Sequence, residues 1–163
     1  MFSSVDFDWI NPIFILAYLH PHRFQPDPEV LRRQGLDPDQ PLFLVRFVCW
    51  QASHDIGESG FSLEGKVEVV RRLAEKGRVL ISSESRLPEE LNAYRYSLPV
   101  QDIHHVLAHA HMIVGESATM ASEAAVLGTH AIFVSKTGRG YTDDQERRYG
   151  LVHNFKHDQE CQA

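Results

Sequence analysis

Hydrophobic residues follow two alternating patterns along the chain. Short, nearly continuous apolar runs rich in β-branched and aromatic residues are typical of strands that are buried on both faces. These runs occupy residues 41–50, 78–82, 112–115, 130–135 and 151–155. Between them, apolar residues recur at every third or fourth position, which is typical of amphipathic helices. These segments cover 62–76, 88–94, 102–110, 117–127 and 142–150, with a further short helix at 28–34. The alternation predicts an α/β fold in which a mostly parallel sheet carries helices on both faces.

Polar residues and glycines at the ends of the predicted helices support this assignment. Ser62 and Asp102 stand where a side-chain oxygen caps the first turn of a helix. Thr142 and Gln145 have the spacing of a capping box, and Gly128 follows the end of the helix at 117–127. The sequence therefore predicts where helices begin and end as well as their number.

The chain of 163 residues is long enough for one domain with a sizeable core. Residues 41–155 contain the alternating pattern and form the predicted domain. The proline-rich stretch 18–40 is predicted to be a linker, and 156–163 a polar tail. Residues 1–17 do not join the pattern, and we expect their apolar run at 14–16 either to self-associate or to stay disordered.

Composition and charge restrict the classes of function. The formal net charge is −6 and the isoelectric point is about 5.9, whereas sequence-independent binding to nucleic acid needs a basic surface. Cys49 and Cys161 provide neither a disulfide framework nor a CxxC metal knuckle. The apolar run at 13–17 is too short to span a bilayer, and no lysine or arginine precedes Arg23 to start a signal peptide. We therefore expect a cytoplasmic protein with no nucleic-acid partner, no membrane span and no metal site.

Three unusual loops follow predicted strands, at residues 50–60, 115–119 and 135–142. In an open parallel sheet, ligands bind beyond the carboxyl ends of the strands. If the strands are parallel, all three loops lie at the same edge of the sheet. That edge is the predicted location of a functional site.

The helix predicted at 117–127 starts with small residues, which allow a ligand to come close to its N-terminus. Free backbone N–H groups and the positive end of the helix dipole suit that position to a phosphate or diphosphate. Ser117, Ala118 and Thr119 form the first turn, so two hydroxyl groups stand beside the backbone donors. Glu123, one turn after Thr119, is a candidate acceptor for the hydroxyl groups of a ribose. The pattern leaves open an alternative, in which Ser117 is a plain N-cap, Glu123 is solvated and the small residues serve close packing on the sheet.

The other two loops also carry candidate residues. Gly138 and Arg139 lie in a glycine-rich loop, where the backbone can approach an anion and a guanidinium group can pair with it. The alternative is a flexible surface turn. His54 and Asp55 are adjacent in the first loop and are the candidate catalytic acid–base pair. A polar loop without a catalytic role is the alternative for these two residues.

Serine hydrolase chemistry is a less favoured interpretation of the 115–119 loop. The loop is similar to the G-x-S-x-G nucleophile elbow, with Ser117 as the nucleophile, but Thr119 replaces the last glycine. A triad also needs an acid and a histidine later in the chain. The available residues are Asp143 or Asp144 and His153 or His157.

Four histidines cluster at positions 104, 105, 109 and 111. His105 and His109 have the spacing of a helical metal-binding pair. The sequence specifies no third ligand, so histidines on the solvent side of an amphipathic helix are the favoured interpretation.

Several long blocks of the chain resemble one uncharacterised microbial family. In chain order they are YLHPHRFQPDPEVLRRQGL, VRFVCWQASHDIG, ISSESRLPEEL and GESATMASEAAVLGTHAIFVSKTGRGYTDDQERRYGLVHNF. On these blocks, residues 18–155 are identified as a member of the domain-of-unknown-function 354 family. That family resembles the GT-B glycosyltransferases and the UDP-N-acetylglucosamine 2-epimerases. The resemblance implies a Rossmann-like, three-layer α/β/α domain, the second domain of a GT-B fold.

The resemblance also implies roles for single residues. In the epimerases, a serine opens the helix and contacts the diphosphate, and a glutamate six residues later holds the ribose; Ser117 and Glu123 match these positions. Ala118 and Thr119 replace the glycines that usually follow the serine, which narrows the phosphate site, and His130 replaces a proline. The implied ligand is a sugar linked to a nucleoside diphosphate, with uridine diphosphate as the first candidate, and no other cofactor is implied.

The same resemblance implies half of a two-domain enzyme. We expect an N-terminal Rossmann-like partner domain, missing or encoded separately, to form the other wall of the cleft and to bring catalytic groups. Glycosyl transfer and sugar epimerisation are the two candidate reactions of the complete protein. The chain alone is expected to bind nucleotide-sugar without turnover. A non-catalytic binding or interaction module on the same fold is the alternative.

Overall fold

The computed structural model describes residues 12–49 and 60–160, and these contain a five-stranded sheet. The strands are β1 Leu42–Phe47, β2 Arg78–Ser83, β3 Met112–Gly115, β4 His130–Val134 and β5 Val152–Phe155. Their spatial order is β2-β1-β3-β4-β5, and every neighbouring pair is parallel. All the predicted strands are therefore confirmed, although β1 ends earlier than its apolar run.

Helices alternate with these strands, as the pattern predicted. The α-helices of the described residues are α1 Pro28–Arg33, α2 Leu63–Ala74, α3 Ile103–His109, α4 Ala118–Val126 and α5 Gly140–Tyr149. In addition, 3-10 helices occupy Pro12–Leu19, Glu89–Tyr94 and Val100–Asp102. None of the helices in this part of the chain combines the length and the apolar character that crossing a membrane requires.

Hydrophobic clusters cover both faces of the sheet, and the two adjacent residues Ile113 and Val114 of β3 show the division. Ile113 belongs to a cluster with α1, α3 and the buried alanines of α4, whereas Val114 belongs to a cluster with α2. Because successive side chains of a strand point to opposite faces, the clusters lie on opposite sides of the sheet. The structure is therefore an α/β, Rossmann-like fold with helices on both faces of a parallel sheet.

Two of the predicted helix starts are those of the structure. Ser62 Oγ accepts a hydrogen bond of 2.9 Å from Gly65 N at the start of α2. Asp102 precedes α3, but its side chain makes no cap hydrogen bond. Its Oδ2 instead accepts a hydrogen bond of 2.8 Å from Gln34 Nε2. A long-range contact therefore replaces the predicted bond to the first turn of the helix.

The capping box predicted at Thr142 and Gln145 is wrong. Helix α5 begins at Gly140, so both residues lie inside it, and both side chains are buried. Thr142 Oγ1 donates to the Arg139 carbonyl at 2.8 Å, and Gln145 Nε2 donates to the Ser122 carbonyl of α4 at 3.3 Å. Gln145 therefore links α5 to α4, and Thr142 bonds within the first turn of its own helix, so the two residues do not form a capping box.

The segment that precedes the sheet packs against it. Leu16 and Leu19 of the first 3-10 helix are buried. The burial of Leu16 is at odds with the expectation that the apolar run at 14–16 is disordered or self-associates. In the proline-rich stretch, Val30 and Leu31 of α1 are also buried, and α1 contacts α3. The division of the chain at residues 17, 40 and 155 stays a prediction.

Candidate functional site

The order of the strands reverses at β1. From β1 the chain moves to β2 on one side and then crosses back to β3 on the other side. In open α/β sheets, such a reversal leaves a crevice beyond the carboxyl ends of the two central strands, and ligands bind there. Since β3 ends at Gly115 and α4 begins at Ala118, the N-terminus of α4 borders this crevice. The loop that follows β4 lies at the same edge, because β4 pairs with β3 in parallel.

Glu116, the residue between β3 and the helix cap, is a buried carboxylate at this crevice. Its side chain is 0% exposed. It accepts hydrogen bonds from Val48 N at 2.8 Å and from Phe61 N at 2.7 Å. Lys66 Nζ of α2 lies 3.9 Å from Glu116 Oε1 and 4.8 Å from the centre of the Phe47 ring. Glu116 therefore holds together the two ends of the loop that follows β1.

Two glycines make room for this arrangement. A Cβ atom at Gly60 would overlap the Glu116 side chain, and a Cβ atom at Gly115 would overlap the backbone carbonyl of Arg46 in the neighbouring strand. Such positions require glycine because any larger residue forces its neighbours to move. The sequence alone indicated neither this packing nor the role of Glu116.

The first turn of α4 has the composition expected of an anion site. Ser117 is the N-cap, and its Oγ accepts a bond of 3.3 Å from Met120 N. Ala118 and Thr119 follow; their N–H groups belong to the first turn, where the helix offers no backbone acceptor. Thr119 is exposed. The buried alanines lie further along the helix, at Ala121, Ala124 and Ala125, so close packing and an open helix start occur together.

Glu123 is not a freely solvated residue. Its side chain is 12% exposed and its Oε1 accepts a hydrogen bond of 2.8 Å from Tyr18 Oη. His104 Nε2 lies 3.4 Å from the other oxygen, Oε2. Burial, together with the hydrogen bond to Glu123 and its negative charge, raises the pKa of Tyr18 to about 12. Glu123 therefore accepts from a hydroxyl group of the protein, and its predicted role as an acceptor for ribose hydroxyl groups stays a prediction.

The loop after β4 presents Gly138 and Arg139. Arg139 stands at the N-cap position of α5 and makes no side-chain cap. Its Nη1 donates to Thr137 Oγ1 at 2.8 Å and to the Gly138 carbonyl at 3.3 Å. The guanidinium group is thus folded onto its own loop, and it has to turn outward before it can pair with an anion. The roles of these two residues stay predictions.

A second arginine, which the sequence analysis did not single out, lies at the carboxyl end of β1. Arg46 Nη1 donates to Ser82 Oγ at 2.7 Å, and Nη2 pairs with Glu84. Glu84 also accepts a bond of 3.2 Å from Cys49 N. Arg46 lies within an apolar strand sequence, and its partners lie at the end of β2 and just after it, so no local pattern indicated it. His54 and Asp55, the predicted acid–base pair, lie outside the described residues.

The alternative chemistries find little support. Among residues 12–49 and 60–160, no hydrogen bond joins Ser117 to a histidine or to an acid, and Asp144 pairs with arginines of its own helix. His105 Nδ1 accepts a bond from Asp27 N at 3.0 Å, and His109 Nδ1 lies 2.8 Å from the His105 carbonyl. The described part of the chain holds no group of three or more potential ligands around a metal site.

Comparison with known proteins gives a distant structural likeness. No protein family and no curated protein matches the chain. Among solved structures, it is similar to KpsC of Thermosulfurimonas dismutans, a beta Kdo 2,7 transferase, with 16% sequence identity and a TM-score of 0.49. The match covers 89% of this chain and 52% of that protein, so the chain spans about half of the transferase's length. Membership of the domain-of-unknown-function 354 family stays a prediction.

Proposed function

We propose that this domain binds a sugar linked to a nucleoside diphosphate at the carboxyl edge of its sheet. The observation that carries the proposal is the position of α4, whose N-terminus borders the crevice where the strand order reverses between β1 and β3. A helix start at this point combines unpaired N–H groups with the positive end of the helix dipole. The ligand class that suits this combination is one with a phosphate or diphosphate.

In the proposed complex, the diphosphate accepts bonds from the first turn of α4. The backbone N–H groups of Ala118 and Thr119 are the central donors, and the hydroxyl groups of Ser117 and Thr119 add to them. Ser117 Oγ receives the Met120 N–H in the structure, which leaves the hydroxyl hydrogen free to be donated to a phosphate. Arg139 supplies a positive charge after its guanidinium group has turned away from Thr137.

The ribose is proposed to bind Glu123, one turn further along the same helix. A carboxylate accepts hydrogen bonds from vicinal hydroxyl groups, and Glu123 already accepts one from a hydroxyl group of the protein. Transfer or epimerisation of the sugar requires catalytic groups in addition to this binding site. We assign those to His54 and Asp55 and to a partner domain that forms the other wall of the cleft.

Titration calorimetry with UDP, other nucleoside diphosphates and their sugar conjugates tests the proposal. At least one of them should bind the full chain saturably. Ser117→Asp should abolish this binding, because aspartate still caps the helix but repels the phosphates. Arg139→Ala should weaken it about tenfold, the usual size of one charge-assisted contact.

Arg147→Ala is the matched control, since it removes the same charge from the last turn of α5. Its binding should equal that of the parent protein. No binding of any nucleoside diphosphate by a chain that unfolds cooperatively would refute the proposed function. If Arg139→Ala and Arg147→Ala weaken binding equally, the loss of affinity comes from the net charge of the protein and not from a contact of Arg139.

A further inference from the structure

Tyr18 reaches Glu123 from a distant part of the chain. It lies in the 3-10 helix Pro12–Leu19, which is fixed to the domain by buried Leu16 and Leu19. Its hydroxyl group donates the 2.8 Å hydrogen bond to Glu123 Oε1, while the residue as a whole is 42% exposed. The contact therefore lies at the surface, between α4 and the 3-10 helix that precedes the first strand.

Aromatic side chains complete the surroundings of Glu123. The centres of the Tyr18 and His104 rings are 5.4 Å apart, edge to face, and the Phe24 ring also meets His104 edge to face, at 6.1 Å. His104 Nε2 faces Glu123 Oε2, so each carboxylate oxygen has a side chain in front of it. With only 12% of the Glu123 side chain exposed, a further pair of hydroxyl groups has little room to approach.

From this geometry we infer that Tyr18 is a specificity-determining residue that competes with the ribose of a ligand for Glu123. The inference rests on the proposed function. A phenol and a ribose hydroxyl are both neutral O–H donors, so they satisfy the same carboxylate oxygen in the same way. A ligand with a ribose must displace Tyr18, whereas a ligand with phosphates alone binds the start of α4 and leaves Tyr18 in place.

The competition predicts opposite responses to two ligands. Tyr18→Phe keeps the ring and its packing on His104 but removes the competing hydrogen bond. It should bind UDP about fivefold more tightly than the parent chain, because one hydrogen bond no longer has to be broken. Binding of inorganic pyrophosphate, which has no ribose, should stay the same.

Calorimetry of the full chain with UDP and with pyrophosphate measures both responses. Tyr96→Phe is the matched control: it removes another hydrogen-bonded tyrosine hydroxyl, which donates to the Gln34 carbonyl at 3.1 Å, and it should leave both affinities unchanged.

The remaining outcomes separate the two proposals. If UDP binds the parent and Tyr18→Phe equally, or binds the variant more weakly, the competition is overturned and nucleotide binding stands. If neither protein binds UDP or any other nucleoside diphosphate, the proposed function fails and the competition fails with it. A matching gain for pyrophosphate would overturn the competition for ribose, since it would point to a general opening of the site.

Discussion

Glu116 and Glu123 lie at the two ends of one short segment, and their carboxylates differ in exposure and in the kind of hydrogen-bond donor that they contact. Glu116 is 0% exposed and is held by two backbone N–H groups, with Lys66 nearby. Glu123 is 12% exposed and is held by one phenol, with His104 nearby. The partners of Glu116 are fixed parts of the main chain. The Tyr18 partner of Glu123 is a side chain that can rotate away.

This difference in partners gives the two carboxylates different roles, one in maintaining the structure and the other in binding a ligand. A fully buried carboxylate is costly to desolvate and is tolerated only while its hydrogen bonds and its countercharge are intact. Exchange of those partners for ligand atoms would leave main-chain N–H groups unpaired. A carboxylate near the surface can exchange one hydroxyl donor for another at little cost. Glu116 therefore builds the edge of the sheet, and Glu123 is the residue suited to exchange.

The largest effect is expected for Glu116→Ala. It leaves the N–H groups of Val48 and Phe61 without an acceptor and Lys66 without its nearby carboxylate, so the free energy of unfolding should fall by about 3 kcal/mol. Urea denaturation followed by circular dichroism measures this loss. Glu123→Ala is the control, with an expected loss of about 1 kcal/mol. Equal losses would contradict the division between the two glutamates.

Gly60→Ala tests the same packing from the opposite side. The new Cβ overlaps the Glu116 side chain, which must shift, so we expect a loss of about 2 kcal/mol, as for other overpacked sites. Gly138→Ala is the matched control, because its nearest neighbour, Asp143 Oδ1, is 3.5 Å away at ordinary contact. In a Glu116→Ala background, the cost of Gly60→Ala should largely disappear. A cost that persists there would place the strain in the backbone.

The fold follows from local patterns, and these are visible in the sequence. Apolar runs predicted the five strands of the described residues, and the alternative in which Ser117 is the N-cap of α4 matches its bond from Met120 N. The site depends on long-range pairs. The partners of Glu116 are 68 and 55 residues away, and Tyr18 is 105 residues from Glu123. No local pattern contains such pairs, and a long-range hydrogen bond from Gln34 likewise occupies Asp102 at its predicted cap position.

Ser117→Ala should have a moderate effect on stability. It removes the acceptor of the Met120 N–H, and the loss of an N-cap typically costs about 1 kcal/mol. Ser117→Gly should cost only a few tenths of that, because glycine is tolerated at the cap position. Thermal denaturation of the two variants measures the difference. If both are as stable as the parent, the hydroxyl group of Ser117 does not cap α4 in solution.

The smallest effect concerns the stabilisation by Tyr18, which is lost at alkaline pH. The pKa of Tyr18 is raised to about 12 from the usual value of 10.0, chiefly by burial and by the hydrogen bond to Glu123. A raised pKa means that the folded state holds the proton more tightly than the unfolded state. The resulting stabilisation is complete below pH 10 and is lost as the pH rises towards 12.

Tyr18→Phe cannot ionise at that position, so its stability should fall less steeply over the same range. We expect the parent to be more stable at pH 8 by about 0.5 kcal/mol, a value reduced because the ring is partly exposed to solvent. That advantage should shrink between pH 10 and 11.5, as measured by urea denaturation at each pH. Tyr96→Phe controls for the second tyrosine whose pKa burial raises. An advantage that stays constant with pH would mean that Tyr18 does not donate to Glu123 in solution, and the contrast between the two glutamates would lose its exchangeable partner.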